Sequence, residues 1–160
     1  KPDKNNNHRP VVGMPVISVK IGDHCYHGLC DMGASACAIP YTLYEEIMKD
    51  IAPAEIEEID VTVKLGNRHT ISPIGIVRDV ELFCGKVKYP TDFLVLGSPQ
   101  DGFCPVIFGR PFLNTVNAKI DCKKQIVGVS FGDESHEFNF SKFSRNHHEK
   151  ELPRTTAGCC

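Results

Sequence analysis

The chain has 160 residues, 41% hydrophobic and 24% charged, enough for one core and too short for two domains of ordinary size. Eighteen Lys and Arg stand against 20 Asp and Glu, a formal charge of −2, so no global field draws the chain toward nucleic acid. No apolar run approaches the roughly 20 residues of a membrane-spanning helix, which excludes an integral helical membrane protein.

Residues 1–10, KPDKNNNHRP, are polar and aperiodic, contain no stretch suited to a secretion signal, and read as a flexible linker. In PVISVKI, Ile17, Val19 and Ile21 alternate with Ser18 and Lys20, the period of a half-buried strand. Pro40 is suited to the first position of a helix running through YTLYEEIM. There Leu43 and Ile47 share one face, and Tyr44 and Met48 another. Asp50 to Asp60 carries five acids and no base, a solvated loop. Val61, Val63 and Leu65 alternate again, and GIVRDVELF, DFLVL, PVIF, AKIDC and IVGVSF supply further short strands between turn signals. A short helix, PFLNT, follows Arg110, and HEFNF, at 136–140, is expected to close the sheet. From 141 to 160 the chain is again an aperiodic linker, with four bases against two acids. The folded unit is thus expected over 11–140, as a small mostly-β closed barrel with one main helix and a short second one.

Two stretches carry chemistry. The first is LCDMGASACAIP, 29–40, where Asp31 directly follows the apolar end of a strand. Gly33, Ala34 and Ser35 then form a turn too small to shield its carboxylate, and Gly33 lets backbone N–H groups approach it. An acid in that position is costly to bury, although a turn Asp satisfying local amides gives the same pattern. The second stretch is CPVIFGRPFLNT, 104–115, an apolar strand running into Gly109, Arg110 and a helix.

Together the two resemble the retropepsin-like aspartic proteases of retroviruses and long-terminal-repeat retrotransposons. The family pattern is an Asp-Ser/Thr-Gly-Ala turn after an apolar strand, then a flap-bearing β region, then apolar-apolar-Gly-Arg entering a short helix. Here these are Asp31-Met32-Gly33-Ala34 and Ile107-Phe108-Gly109-Arg110. The wording of GLCDMGASACAIPYTLYEEI, YPTDFLVLG and IFGRPFLNT is most similar to the protease region of plant Ty3/Gypsy-type polyproteins.

The resemblance implies an aspartic endopeptidase with Asp31 catalytic, Gly33, Ala34 and Ser35 supporting it, and Gly109 and Arg110 as structural motif. Such chemistry needs two carboxylates sharing one proton, one activating water and the other protonating the peptide carbonyl. The chain has one suitable Asp-x-Gly turn, so the mechanism implies a homodimer in which Asp31 meets its copy. Substrate, a polypeptide cut from a polyprotein, would lie under a hairpin flap expected at Gly66 to Gly75. No cofactor or metal is implied, the nucleophile being water, and the expected compartment is the cytoplasm.

Two positions depart from the pattern. Met32 stands where the family has Ser or Thr, whose hydroxyl braces the paired turns, and a thioether cannot donate that hydrogen bond. Ser35 stands where viral members place the acid that pairs with the Gly-Arg arginine, so Arg110 needs another partner. The rival reading is a degenerate retropepsin fold that dimerises or binds peptide without cutting. A zinc site built from His24, Cys25, His27 and Cys30 is disfavoured by spacing, because neighbours on a strand face opposite ways. The eight cysteines contain no CxxC pair and read as scattered, mostly buried thiols, with disulfides left open. Cys30 and Cys37 lack any known cysteine-protease signature.

Overall fold

A computed structural model describes residues 13–64, 70–97 and 106–141. Strand β1 (Val16–Ile21) returns through a turn at Gly22 into β2 (His24–Cys30), paired antiparallel from Val16↔Leu29 to Ile21↔His24. Gly22 has φ +59, the left-handed conformation that a two-residue hairpin turn demands and glycine adopts without strain. The predicted alternation holds: Ile17, Val19 and Ile21 are buried in the core.

After a loop, β3 (Ala38–Pro40) leads directly into helix α1 (Tyr41–Asp50). Pro40 is not the first helical residue, as expected, but the last of β3 and the residue preceding the helix, with ψ 152. Its carbonyl side still pairs in register with Leu96, so the extended conformation wins and the helix begins one position later. Ile47 is buried on α1, while Leu43, Tyr44 and Met48 pack against the core from its flanks. The acidic segment that follows is tied down at Ala54, whose carbonyl accepts from the Tyr44 hydroxyl at 2.7 Å, and at Glu57, bridged to Ile76.

A two-stranded ribbon, β4 (Val63–Lys64) and β5 (Thr70–Ile71), precedes the long hairpin of β6 (Gly75–Cys84) and β7 (Val87–Leu96). Strand β8 (Val106–Phe108) and helix α2 (Arg110–Thr115) follow. The chain then forms β9 (Lys119–Asp121), β10 (Ile126–Phe131) and β11 (Glu134–Asn139).

Six strands close a barrel in the order β1-β2-β8-β3-β7-β6, sealed by the pairing of Lys20 with Phe83. The HEFNF segment does not close it. β11 instead pairs with β10 in a separate three-stranded sheet, since its burial alternates between partial and exposed and gives no second buried face. Phe93, Phe108 and Phe140 are among the largest fully buried side chains, and Phe108 stacks 4.5 Å from Phe112 across the β8–α2 junction. Such ring pairs add about 0.5–1.5 kcal/mol beyond their buried area and stiffen the joint between strand and helix. Cys30, Cys37 and Cys84 are buried free thiols, Cys122 is an exposed one, and Cys25 is disulfide-bonded.

Candidate active site

Strand β8 lies between β2 and β3, parallel to the first and antiparallel to the second. The chain that joins β2 to β3 must therefore arch over the end of β8. That arch is residues 31–37, the stretch in which the sequence places Asp31.

Main-chain bonds hold the arch at both ends. The N–H of Cys30 donates to Pro15 O at 2.8 Å, and that of Asp31 to Phe108 O at 3.0 Å. Asp31 is thus anchored on β8 by its backbone, leaving its half-buried side chain to the turn. Its Oδ1 accepts the Gly33 N–H at 2.8 Å, and its carbonyl accepts the Ala34 N–H at 3.2 Å. A Cβ on Gly33 would stand 3.0 Å from Oδ1, so the small residue permits this close approach.

The second stretch locks onto the first. The Arg110 N–H donates to Ala34 O at 3.0 Å, and the Arg110 guanidinium to Met32 O at 3.0 Å. At Gly109 a Cβ would lie 2.4 Å from Ala36 O and 2.9 Å from Ala34 O, so only glycine fits under the arch. Burial pushes the Cys37 thiol up in pKa, partly offset by hydrogen bonds from the Gly109 and Phe112 backbone, which tie the end of the arch to the start of α2.

Asp31, Gly33, Ala34, Gly109 and Arg110 are therefore brought into one hydrogen-bonded unit. Ser35 is exposed on the crest of the arch, and the side-chain hydrogen bond of Asp31 comes from Gly33 instead. Met32 is 61% exposed beside the carboxylate. Arg110 finds the partner it needed in a main-chain oxygen, which no sequence motif announces. Gly28 was also missed: a Cβ there would lie 2.2 Å from the Phe108 ring. Its signal was a glycine inside an otherwise apolar strand, the mark of a close approach.

Beside the arch, Ala38, Leu94 and Leu96 form a second buried cluster, with Val63 and Ile71 of the ribbon and Ile107 of β8 packed on it. The ribbon thus stands over the surface next to Asp31. Of the expected flap, residues 65–69 lie outside the described residues, while Thr70–Ile71 forms β5 and Gly75 opens β6.

Among the described residues no three His, Cys, Asp or Glu side chains converge as a metal site. His24 Nδ1 instead lies 2.5 Å from Asp50 Oδ2 at the end of α1, and His27 Nδ1 lies 2.7 Å from Ser18 Oγ. No helix of the described residues is long and apolar enough to cross a membrane.

A closed barrel with this arch is the retropepsin-like fold, the architecture of retroviral protease-like domains. The chain is similar to the retroviral protease-like domain of Ddi1 from Leishmania major, with 14% identity and a TM-score of 0.54, covering 78% of this chain and 92% of that one. It is likewise similar to EIAV protease complexed with the inhibitor HBY-793, at 18% identity and TM-score 0.52, covering 72% of this chain and 96% of that one. No protein-family model matches the chain, and no curated protein matches it in sequence.

Proposed function

We propose that the chain is an aspartic endopeptidase acting as a homodimer, with Asp31 of each copy forming the catalytic pair. The observation that carries this reading is the placement of Asp31. It sits at the end of a barrel strand, backbone-anchored to Phe108 and accepting the Gly33 N–H through Oδ1, in a retropepsin-like fold.

A single such carboxylate cannot both activate water and protonate a carbonyl oxygen. Two, brought together across a two-fold axis, share one proton because like charges a few ångströms apart resist joint ionisation. The unprotonated member draws a proton from water as it attacks the scissile carbonyl carbon, and the protonated member donates to the developing oxyanion. Gly33 N–H holds the carboxylate in line through both steps. Ala34 and Ser35 complete the turn, and Gly109 and Arg110 keep it seated. The ribbon of β4 and β5, with the segment between them, serves as flap over an extended polypeptide.

The domain is read as 11–140, flanked by linkers at 1–10 and 141–160, within a cytoplasmic retrotransposon polyprotein that is also the substrate. Support for the last point is the wording of the two motif stretches and the strands between them. No cofactor takes part in these steps, and none of them calls on nucleic acid or a membrane.

One observation favours a second reading. The exposed Met32 side chain offers no hydroxyl to brace the paired turns, so a dimerising or peptide-binding fold without turnover is the alternative. The deciding experiment is cleavage of a random peptide library by wild type and Asp31→Asn across acidic to neutral pH, at concentrations that drive dimerisation. Cutting that disappears with the Asn variant establishes the protease. Equal cutting by both sinks it, and silence from both, with the dimer demonstrated, selects the alternative.

A further inference from the structure

A cavity of about 330 Å³ opens on the flank of the arch, bounded by the β6–β7 hairpin and α2, and Asp31 is not among the residues that line it. Its apolar wall comes from Tyr89, Leu94 and Phe112. Two exposed carboxylates, Asp79 and Asp92, and the buried Thr91 complete the lining.

The hairpin is deformed at this place. Val77 pairs with Phe93 and Val80 with Thr91, so Arg78 and Asp79 together oppose the single residue Asp92, a β-bulge. Asp79 takes φ 54, left-handed for a non-glycine, and its N–H donates to Asp92 Oδ1 at 2.9 Å. The bulge therefore brings two carboxylates to one mouth, which a regular ladder would place on separate rungs.

Charge at that mouth is not balanced. Arg78 is the nearby cation, but its Nε is taken by Glu57 at 2.7 Å, and its Nη1 reaches Asp92 only at 3.4 Å. The Asp79 carboxylate has no ion pair or hydrogen bond among the described residues. Thr91 is 8% exposed, and its hydroxyl has no hydrogen-bond partner among them either. A buried hydroxyl without a partner is uncommon, because its desolvation goes uncompensated, and here it belongs to the cavity wall.

We propose that this cavity is a binding site for an organic cation, a primary ammonium or guanidinium on a short apolar stem. The stem packs on Tyr89, Leu94 and Phe112, the charged head lies between Asp79 and Asp92, and one head-group N–H is accepted by the Thr91 hydroxyl. The volume suits such a group, since small-molecule sites run from about 300 to 1,000 Å³. The same chemistry is carried by a free alkylamine and by a lysine or arginine side chain of a polypeptide. The site does not rest on the proteolytic reading, because binding is measured without turnover. It does adjoin that machinery: Ala36 and Cys37 of the arch and Pro111, next to Arg110, also line it.

The test is titration of the full, isotopically labelled chain with n-butylammonium, following backbone amide resonances. Saturable shifts are expected at Asp79, Thr91, Asp92 and Leu94, with n-butanol, of similar size and neutral, binding at least about tenfold more weakly. Asp79→Asn, which tolerates the left-handed conformation, and Asp92→Asn should each weaken the cation about tenfold while leaving the amide spectrum native-like. Thr91→Val should weaken it severalfold. A short glycine peptide with one central lysine assigns the source: tighter binding than n-butylammonium indicates a polypeptide side chain, and equal or weaker binding a free cation. Equal binding of n-butanol, shifts elsewhere, or no saturable shift in the unmodified chain at millimolar cation would each overturn the proposal, whatever the fate of Asp31→Asn in peptide cleavage.

Discussion

The Arg110 guanidinium donates to the carbonyl oxygen of Met32 at 3.0 Å, across 78 positions of sequence. Because the acceptor is a main-chain atom, the bond places no demand on the side chain at position 32. It also replaces the acid missing at Ser35. The arch over β8 is thus held by Arg110 twice, through its N–H to Ala34 and its side chain to Met32.

Replacing Arg110 with Ala should cost about 1 kcal/mol of stability, since a charged hydrogen bond is worth more than this when buried but Arg110 is exposed. Thermal unfolding measures that loss. Peptide cleavage should fall by a larger factor than stability does, because the bond fixes the residue next to Asp31. A parallel loss in both would make Arg110 merely structural.

Gly109→Ala tests the fit beneath the arch. A methyl 2.4 Å from Ala36 O must displace backbone rather than a flexible side chain. The expected cost is about 1–3 kcal/mol or more, read from denaturant unfolding. A variant as stable as wild type would mean that the arch is looser than described.

Met32→Thr is expected to strengthen the dimer. The position is 61% exposed, so threonine meets no steric obstacle, and its hydroxyl supplies the donor that the thioether lacks. Sedimentation equilibrium should report a lower dimer dissociation constant, with cleavage rising at low protein concentration. No change in either would show that this position does not face the partner copy.

Stability should depend on His27. Burial pushes its pKa below the ordinary 6.5, and the ring sits 2.7 Å from Ser18 Oγ. On acidification the unfolded chain takes up a proton near pH 6.5 that the folded chain still refuses, so stability is lost as pH falls through that value. Melting temperatures on either side of pH 6.5 measure the slope, and His27→Gln should flatten it. A protease working in acid would thus operate where its own fold is weaker.

The thiols give a complementary readout. Burial pushes Cys30 up from 9.0 to about 12, and Cys37 in the same direction. Both remain protonated at neutral pH, where the thiolate is the reactive form. Iodoacetamide should therefore label the exposed Cys122 and spare Cys30, Cys37 and Cys84 until the chain is unfolded, as peptide mass spectrometry would reveal. For Cys30 the sign is opposite to His27: the unfolded thiol ionises first, so stability falls as pH rises from 9.0 toward 12.

Much of this was legible along the chain, and for local reasons. Period-2 alternation marks Ile17, Val19 and Ile21 because one face of β1 is buried and the other is not. The i,i+4 spacing of Leu43 and Ile47 marks α1 for the same reason. Asp31 and Gly33 were visible together because the turn that joins them is closed by a bond two residues long. What failed was also local evidence, overruled by pairing. Pro40 is compatible with a helix start, yet its register opposite Leu96 keeps it extended. The β11 segment alternates well enough for a barrel strand, but β10 is its neighbour.

Composition, periodicity and the two short motifs by themselves determined the class of fold and the acid on which its chemistry would turn. These are properties of adjacent residues, written in spacing and side-chain type. Only the tertiary structure decided how the acid is held. The insertion of β8 between β2 and β3, the carbonyl that receives Arg110, and the bulge that sets Asp79 beside Asp92 all join residues far apart in sequence. They do so through backbone atoms, which every residue carries, and a contact made by what all residues share leaves no mark in the order of their side chains.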